Sequence, residues 1–279
     1  MGGLIAGGAV GLWLGLWWLN IRLSRRHGRW VRVLVPGLFG LALLLLWEGL
    51  VRGLGVPAVI LPAPSAIAAA IAARPEMLWA DFVQTVIRSV LPGYAMGCGA
   101  AFLVALAVDR SPFLQRGLLP LGTLAAALPI VGIAPIMVMW FGFDWQSKAA
   151  VVVAMVFFPV LVNTMQGLKA ADRLHLDLMA TYGASYWQTL FRLRLPAAAP
   201  FVFGGLKLCT TLALIGAIVA EFFGTPTQGI GFRISTEIGR LALDTVWAEI
   251  AVAAVAGSVF FGLVAAIERA VTFWHPSQR

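Results

Sequence analysis

Residues 177–196 read DLMATYGASYWQTLFRLRLP. This short stretch is polar and ends in basic residues, and it lies between two long apolar runs. In a chain made largely of membrane-crossing runs, such an island is a place where a soluble partner can be touched. Leu174 to Tyr182 can form a short helix, Gly183 breaks it, Tyr186 to Leu193 can form a second, and Pro196 starts the next apolar segment. Tyr182, Tyr186, Trp187 and Phe191 then offer aromatic bulk to a groove, with Arg192 and Arg194 as flanking charges. On pattern alone, an amphipathic helix pair lying on the membrane remains an alternative.

The surrounding composition is that of a bilayer protein. Charged residues make up 11% of the 279 positions and hydrophobic residues 61%, against about 25% charged in a soluble domain, and the mean hydropathy is +0.91. The net charge of +8 does not point to nucleic acid, because the basic residues gather at the ends of apolar segments and form no aromatic-rich basic face. It is read as topology and as attraction to anionic membrane lipid. Cys98 and Cys209 each lie inside an apolar run, where they pack as small hydrophobes.

Seven runs come near the roughly 20 apolar residues that a spanning helix needs: Gly2 to Leu19, Val33 to Val51, Ser89 to Val108, Gly117 to Phe141, Ala149 to Met165, Pro200 to Phe222 and Val246 to Ile267. Pro129 and Pro135 argue against a straight fourth helix. Between the second and third runs, Leu61 to Arg88 is too polar to span, and Ser65 and Pro75 look like the starts of short surface helices. With the N-terminus outside, the inner loops hold thirteen Lys and Arg and the outer loops six. This excess orients the chain and places the island in the cytoplasm. The first run carries no positive charge ahead of it and a basic cluster after it, the order of an uncleaved anchor. Trp13, Trp17, Trp18, Trp47, Trp140, Trp247 and Trp274 fall in or near run ends, as interfacial belts do.

The spacing inside the island resembles the cytoplasmic loop of ABC import permeases written E-A-A-x3-G-x9-I-x-L-P, with Gly183, Leu193, Leu195 and Pro196 in register. Asp177 stands where that family has Glu, and Leu178 and Met179 replace its two alanines. Further stretches follow in the family's order: LPAPSAI at Leu61, ALPIVGIAPIMVMWFG at Ala127, FFPVLVNTMQGL at Phe157 and GGLKLCTTLALIGAIVAEFFG at Gly204. The match is to binding-protein-dependent permeases of the nitrate, taurine and alkanesulfonate branch, which is also similar to permeases for pyrimidine and riboflavin-type compounds. The resemblance implies an all-α, polytopic type I ABC importer permease with a six-helix core. Residues 1–32 are then an extra N-terminal anchor with a basic cytoplasmic loop, and residues 33–279 the permease domain. It implies Asp177, Ala180, Gly183, Tyr186, Trp187, Leu193, Leu195 and Pro196 as the loop that grips an ATPase. Its other implied partners are an extracytoplasmic solute-binding protein and a second copy of the chain, in a bacterial inner membrane.

The chain itself carries no ATP site by sequence. A phosphate-cradling loop needs a Gly-Lys pair, and Lys148, Lys169 and Lys207 follow Ser147, Leu168 and Leu206. ATP is therefore expected on a separate subunit, with no cofactor here. His27, His175 and His275 are too scattered for a metal site, and no convergent nucleophile and base point to an enzyme. Polar or amphipathic groups inside the runs are candidates for a solute path: Trp140, Asn163, Lys207 and Glu221. Lys207 and Glu221 lie fourteen residues apart, which sets them within about 40° of one helix face and about 21 Å apart. Lys207 and Arg233 lean toward an anionic solute, whereas the resemblance admits neutral heterocycles equally. The rival reading is a secondary active transporter, which would show inverted repeats with paired broken helices; the hydropathy shows no such repeat.

Overall fold

The computed structural model describes residues 2–26, 28, 30–117, 129–224 and 227–274. Among them the regular elements are helices: α1 (Gly2–Ser24), α2 (Val31–Gly53), α3 (Pro64–Ala73), α4 (Pro75–Arg110), α5 (Ile130–Phe141), α6 (Trp145–Lys169), α7 (Arg173–Thr181), α8 (Tyr186–Glu221), α9 (Ile230–Gly239) and α10 (Leu243–Val271). Six of them, α1, α2, α4, α6, α8 and α10, are long and apolar enough to cross a membrane, and they coincide with six of the seven runs. Residues 118–128 of the remaining run lie outside the described residues. Its later part is α5, preceded by Pro129 and containing Pro135.

Two helices are longer than their apolar runs. α4 and α8 each have 36 residues, about 54 Å at 1.5 Å per residue, against a hydrocarbon layer of about 30 Å. Pro64–Ala73 is a short helix as expected, but Pro75 opens α4, which continues without a break into the apolar run. The polar residues that made this segment look unable to span, Asp81, Gln84, Thr85 and Ser89, are buried against other helices. Likewise, Pro196 lies inside α8 instead of starting it. Pro92 inside α4 and Pro196 inside α8 are accommodated in the same way. Leu91 N–H donates to Val86 O and Leu195 N–H to Leu190 O, five residues back instead of four. These widened turns immediately precede Pro92 and Pro196, whose rings lack a donor and would strike the carbonyl four residues back.

The chain divides into two compact units. The first comprises residues 1–78 and 234–251. Here α1 and α2 form an antiparallel hairpin through small residues: a Cβ on Gly53 would lie 2.6 Å from Ala6 N, and Asn20 Nδ2 donates to Val35 O at 3.1 Å. Glu48 of α2 receives the Ser65 N–H at 2.9 Å and the Ser65 hydroxyl at 2.7 Å, which caps α3. Trp47 packs edge-on against Trp247 at 5.2 Å.

The second unit comprises residues 79–233 and 252–279, and its centre is a sheaf of α4, α6 and α8. Gly93 faces Ala149 and Val152 while Gly97 faces Val153 and Val156, so α4 and α6 run parallel. Gly167 faces Ala198, Gly205 faces Asn163 and Gly216 faces Met155, so α8 runs antiparallel to α6. Between them lies a core of Val90, Cys98, Ala101, Ala105, Val152, Val156, Leu161, Cys209 and Ala213. Both cysteines are free and buried. Small side chains in this core let the backbones approach closely, which is how helices associate in lipid, where no hydrophobic drive separates protein from solvent.

The Gly97 contact is testable. A Cβ there would meet Val156 Cγ2 at 2.5 Å and Val153 Cα at 3.0 Å, whereas a Cβ on Gly99 meets nothing within 4 Å. Gly97→Leu is expected to destabilise the detergent-solubilised protein by about 1–3 kcal/mol through overpacking, while Gly99→Ala leaves it unchanged. Thermal unfolding followed by tryptophan fluorescence checks the pair.

Candidate functional site

The island folds into a knob at the end of the sheaf where α4 and α6 finish and α8 begins. Asp172 Oδ1 accepts the Leu174 N–H at 3.1 Å and starts α7. α7 stops at a two-bond closure: Gly183 N–H donates to Ala180 O at 2.9 Å and Ala184 N–H to Met179 O at 3.0 Å. Gly183 sits at φ 66°, the left-handed value that this closure requires and that glycine reaches without a Cβ clash. Ser185 then opens α8 with a reciprocal cap, its hydroxyl accepting the Gln188 N–H at 3.4 Å and its own N–H donating to Gln188 Oε1 at 2.8 Å.

The outer face of the knob is apolar and uncovered. Tyr182, Trp187 and Phe191 are 78%, 52% and 61% exposed, and Trp187 stacks on Phe191 at 6.0 Å. Leu174 and Leu178 extend this face, and Asp177 and Ala180 are exposed beside them. Asp177 makes no ion pair among the described residues. Leu193, Leu195 and Pro196 are half-buried on the inner side, next to a fully buried trio of Leu168, Leu190 and Ala198. A hollow of about 480 Å³ lies between α7 and the base of the knob, lined by residues that include Leu168, Leu176, Ala180, Thr189 and Arg194.

The base is held by a charge that sequence reading passed over. Asp109, at the end of α4 and 3% exposed, accepts from Arg194 Nη2 on Oδ1 at 2.7 Å and from Arg194 Nη1 on Oδ2 at 2.7 Å. Oδ2 also accepts from the Tyr186 hydroxyl at 2.8 Å. Arg194 Nε donates to Leu168 O, at the end of α6, at 3.1 Å. Arg110 lies over the Tyr186 and Trp187 rings at 5.3 and 5.8 Å. The only sequence signal was an acidic residue where an apolar run ends, a position that ordinarily reads as interfacial.

A second polar cluster closes the opposite end of the sheaf. Gly229 N–H donates to Asp81 Oδ1 at 2.7 Å, Ile230 N–H to Thr85 Oγ1 at 2.8 Å, and Gly231 N–H to Glu221 Oε2 at 2.7 Å. Three successive donors at the start of α9 thus meet three side chains, two of them carboxylates, as the positive end of a helix favours. The Thr85 hydroxyl donates to Glu221 Oε1 at 2.8 Å, and Arg233 Nε donates to Asp81 Oδ2 at 2.8 Å. Lys148 is fully buried, its ammonium donating to Phe143 O at 2.6 Å and to Gly224 O.

The four candidate path residues occupy different settings. Glu221 belongs to the cluster just described. Lys207 pairs with Glu268 of α10 at 2.6 Å. Asn163 Nδ2 donates to Pro159 O on its own helix at 2.8 Å, and Trp140, at the end of α5, is 66% exposed. No hydrogen bond or ion pair joins these four to one another. Of the three histidines, His175 lies 3.7 Å from Asp172, and His27 and His275 fall outside the described residues. No group of three or more metal-ligating side chains occurs among the described residues.

The family described as "binding-protein-dependent transport system inner membrane component" matches residues 93–273, which include the knob, the Lys207–Glu268 pair and Glu221. The chain belongs to this family. Formylaminopyrimidine transport permease protein ThiX of Halalkalibacterium halodurans is 31% identical over 88% of the chain and 98% of its own length. Riboflavin transport system permease protein RibX of Chloroflexus aurantiacus is 28% identical, covering 84% and 88%. Taurine transport system permease protein TauC of Escherichia coli is 29% identical, covering 71% of each. The chain is accordingly a multi-pass inner-membrane permease of the ABC class and not an enzyme.

Thr85 is both donor and acceptor at the far cluster, so Thr85→Val orphans the Ile230 N–H and one Glu221 oxygen at once. A loss of about 1–3 kcal/mol is expected, with Thr85→Ser close to wild type. Thermal unfolding of the two variants in the same detergent checks this.

Proposed function

We propose that the chain is the transmembrane subunit of an ATP-driven importer, gripped at the knob by a separate ATPase. The observation that carries this reading is the uncovered aromatic face of Tyr182, Trp187 and Phe191 on a short, doubly capped helical corner. Apolar anchors on a helical corner are suited to a partner's groove, and the hollow of about 480 Å³ beneath α7 leaves room for a partner side chain. On this reading the knob faces the cytoplasm, with Asp177, Ala180, Gly183, Tyr186, Trp187, Leu193, Leu195 and Pro196 forming the coupling loop. Two ATPase subunits sit below a homodimer of the chain and a solute-binding protein sits above it. Residues 1–32 serve as an added anchor with a basic, lipid-facing loop, and residues 33–279 form the permease domain. ATP is bound by the partner alone.

For the solute we favour a neutral pyrimidine- or flavin-like heterocycle over a sulfonate, nitrate or other small anion. Lys207 and Arg233, the two basic residues that suggested an anion, are ion-paired to Glu268 and Asp81. That neutralisation removes much of their attraction for an anionic solute. Trp140, Asn163, Lys207 and Glu221 remain the candidates for the path.

In proteoliposomes holding the chain, its ATPase and its binding protein, uptake is expected to require ATP and to persist without an ion gradient. Uptake driven by a gradient in the absence of ATPase would make the chain a secondary transporter and overturn the proposal. Trp187→Ala together with Phe191→Ala should reduce capture of the ATPase by at least about tenfold, two buried aromatic anchors being worth more than 1.4 kcal/mol. Gly183→Val, which forces a β-branched residue to φ 66°, should weaken the knob by about 1–2 kcal/mol. Co-purification from membranes measures both.

A further inference from the structure

We propose that Asp109 is a positioning residue that makes the knob move as one body with α4 and α6. The inference rests on the coupling reading of the knob and adds to it the route by which a push on the knob spreads beyond α8. The knob is joined to α8 by a continuous helix but to α6 only through the non-helical residues Ala170 to Asp172, and α4 is not adjacent to it in the chain at all. Displacement of the knob would by covalent continuity carry α8 alone.

The Asp109–Arg194 pair supplies the missing connections. Arg194 is on α8, within the widened turn Leu190–Arg194. Its two terminal nitrogens are held by both carboxylate oxygens at the end of α4, and its third nitrogen by Leu168 O at the end of α6. One guanidinium thus fastens three helix ends. A bidentate fork fixes direction as well as distance, and at 3% exposure for Asp109 the pair is little screened by water. Tyr186, the first residue of α8, adds a third bond to the same carboxylate, so both the start of α8 and its widened turn are tied to α4.

The placement argues against a merely tolerated ion. A carboxylate at the C-terminal end of its own helix opposes the helix dipole, and a cation near the ends of α4 and α6 complements both. The carboxylate is therefore suited to its site only in the presence of the guanidinium. Removing one partner of a buried pair also costs stability, so a mechanical role is separated from a structural one by reading transport and melting side by side.

The test uses the intact chain reconstituted with its ATPase and binding protein, and reads solute taken up per ATP hydrolysed alongside Tm. Asp109→Asn keeps the shape and removes the charge; it should capture the ATPase as wild type does and hydrolyse ATP at the basal rate, while uptake per ATP falls about tenfold. Asp109→Glu should restore much of that loss. Arg194→Lys keeps the charge but lacks the fork, and should lower uptake per ATP without requiring a lower Tm. Variants that melt earlier yet keep the wild-type uptake per ATP would overturn the inference and leave the pair a structural clamp. Failure of the wild-type chain to capture any ATPase would instead overturn the coupling reading, and this inference with it.

Discussion

A charge placed in the low-dielectric interior of a helix bundle has to find its counter-charge or its hydrogen bonds within reach of its own side chain. The sheaf of α4, α6 and α8 obeys this at both ends, and the core between them is built mostly of small and apolar side chains. Asp109 with Arg194 closes one end, and Asp81, Thr85, Glu221 and Lys148 close the other. Because these groups are neutralised inside the unit, their helices can be polar and still lie at membrane depth. This is why α4 runs unbroken from Pro75 through Asp81, Gln84, Thr85 and Ser89 into lipid-facing sequence.

The two closures differ in kind. At the knob end a single guanidinium gathers three helices by directed, ionic bonds. At the far end the backbone of one helix start is shared among three side chains, with a lysine fastening the carbonyls of two neighbouring loops. The first fixes direction as well as distance, while the second fixes where α9 begins.

Much of this was legible in the residues. Apolar runs located six crossing helices, because length and hydropathy alone decide what can span. Gly183 announced the break after α7, since glycine takes that backbone angle cheaply, and the second helix expected from Tyr186 begins there. What the sequence concealed were partnerships between distant positions. Asp109 and Arg194 are 85 residues apart and Thr85 and Glu221 are 136 apart, so no local period could bring them together. The same blindness made Pro75 to Ser89 look like a surface segment, as hydropathy counts a polar side chain as wet even when a neighbouring helix satisfies it. It also made Pro196 look like a helix start, although a proline just after a widened turn can sit in the middle of one.

Each widened turn also inserts one residue beyond the ordinary helical count, and this sets the angular phase of everything that follows. At 3.6 residues per turn one residue is about 100° of rotation. Excising a single position from Leu190–Arg194 would restore a regular spiral but swing the remainder of α8 by that angle, carrying Lys207 away from Glu268 and Glu221 away from Thr85. The bulge is thus an indexing device: it keeps Arg194 at the base and the ionisable groups further along the same rod aimed at their own separate neighbours.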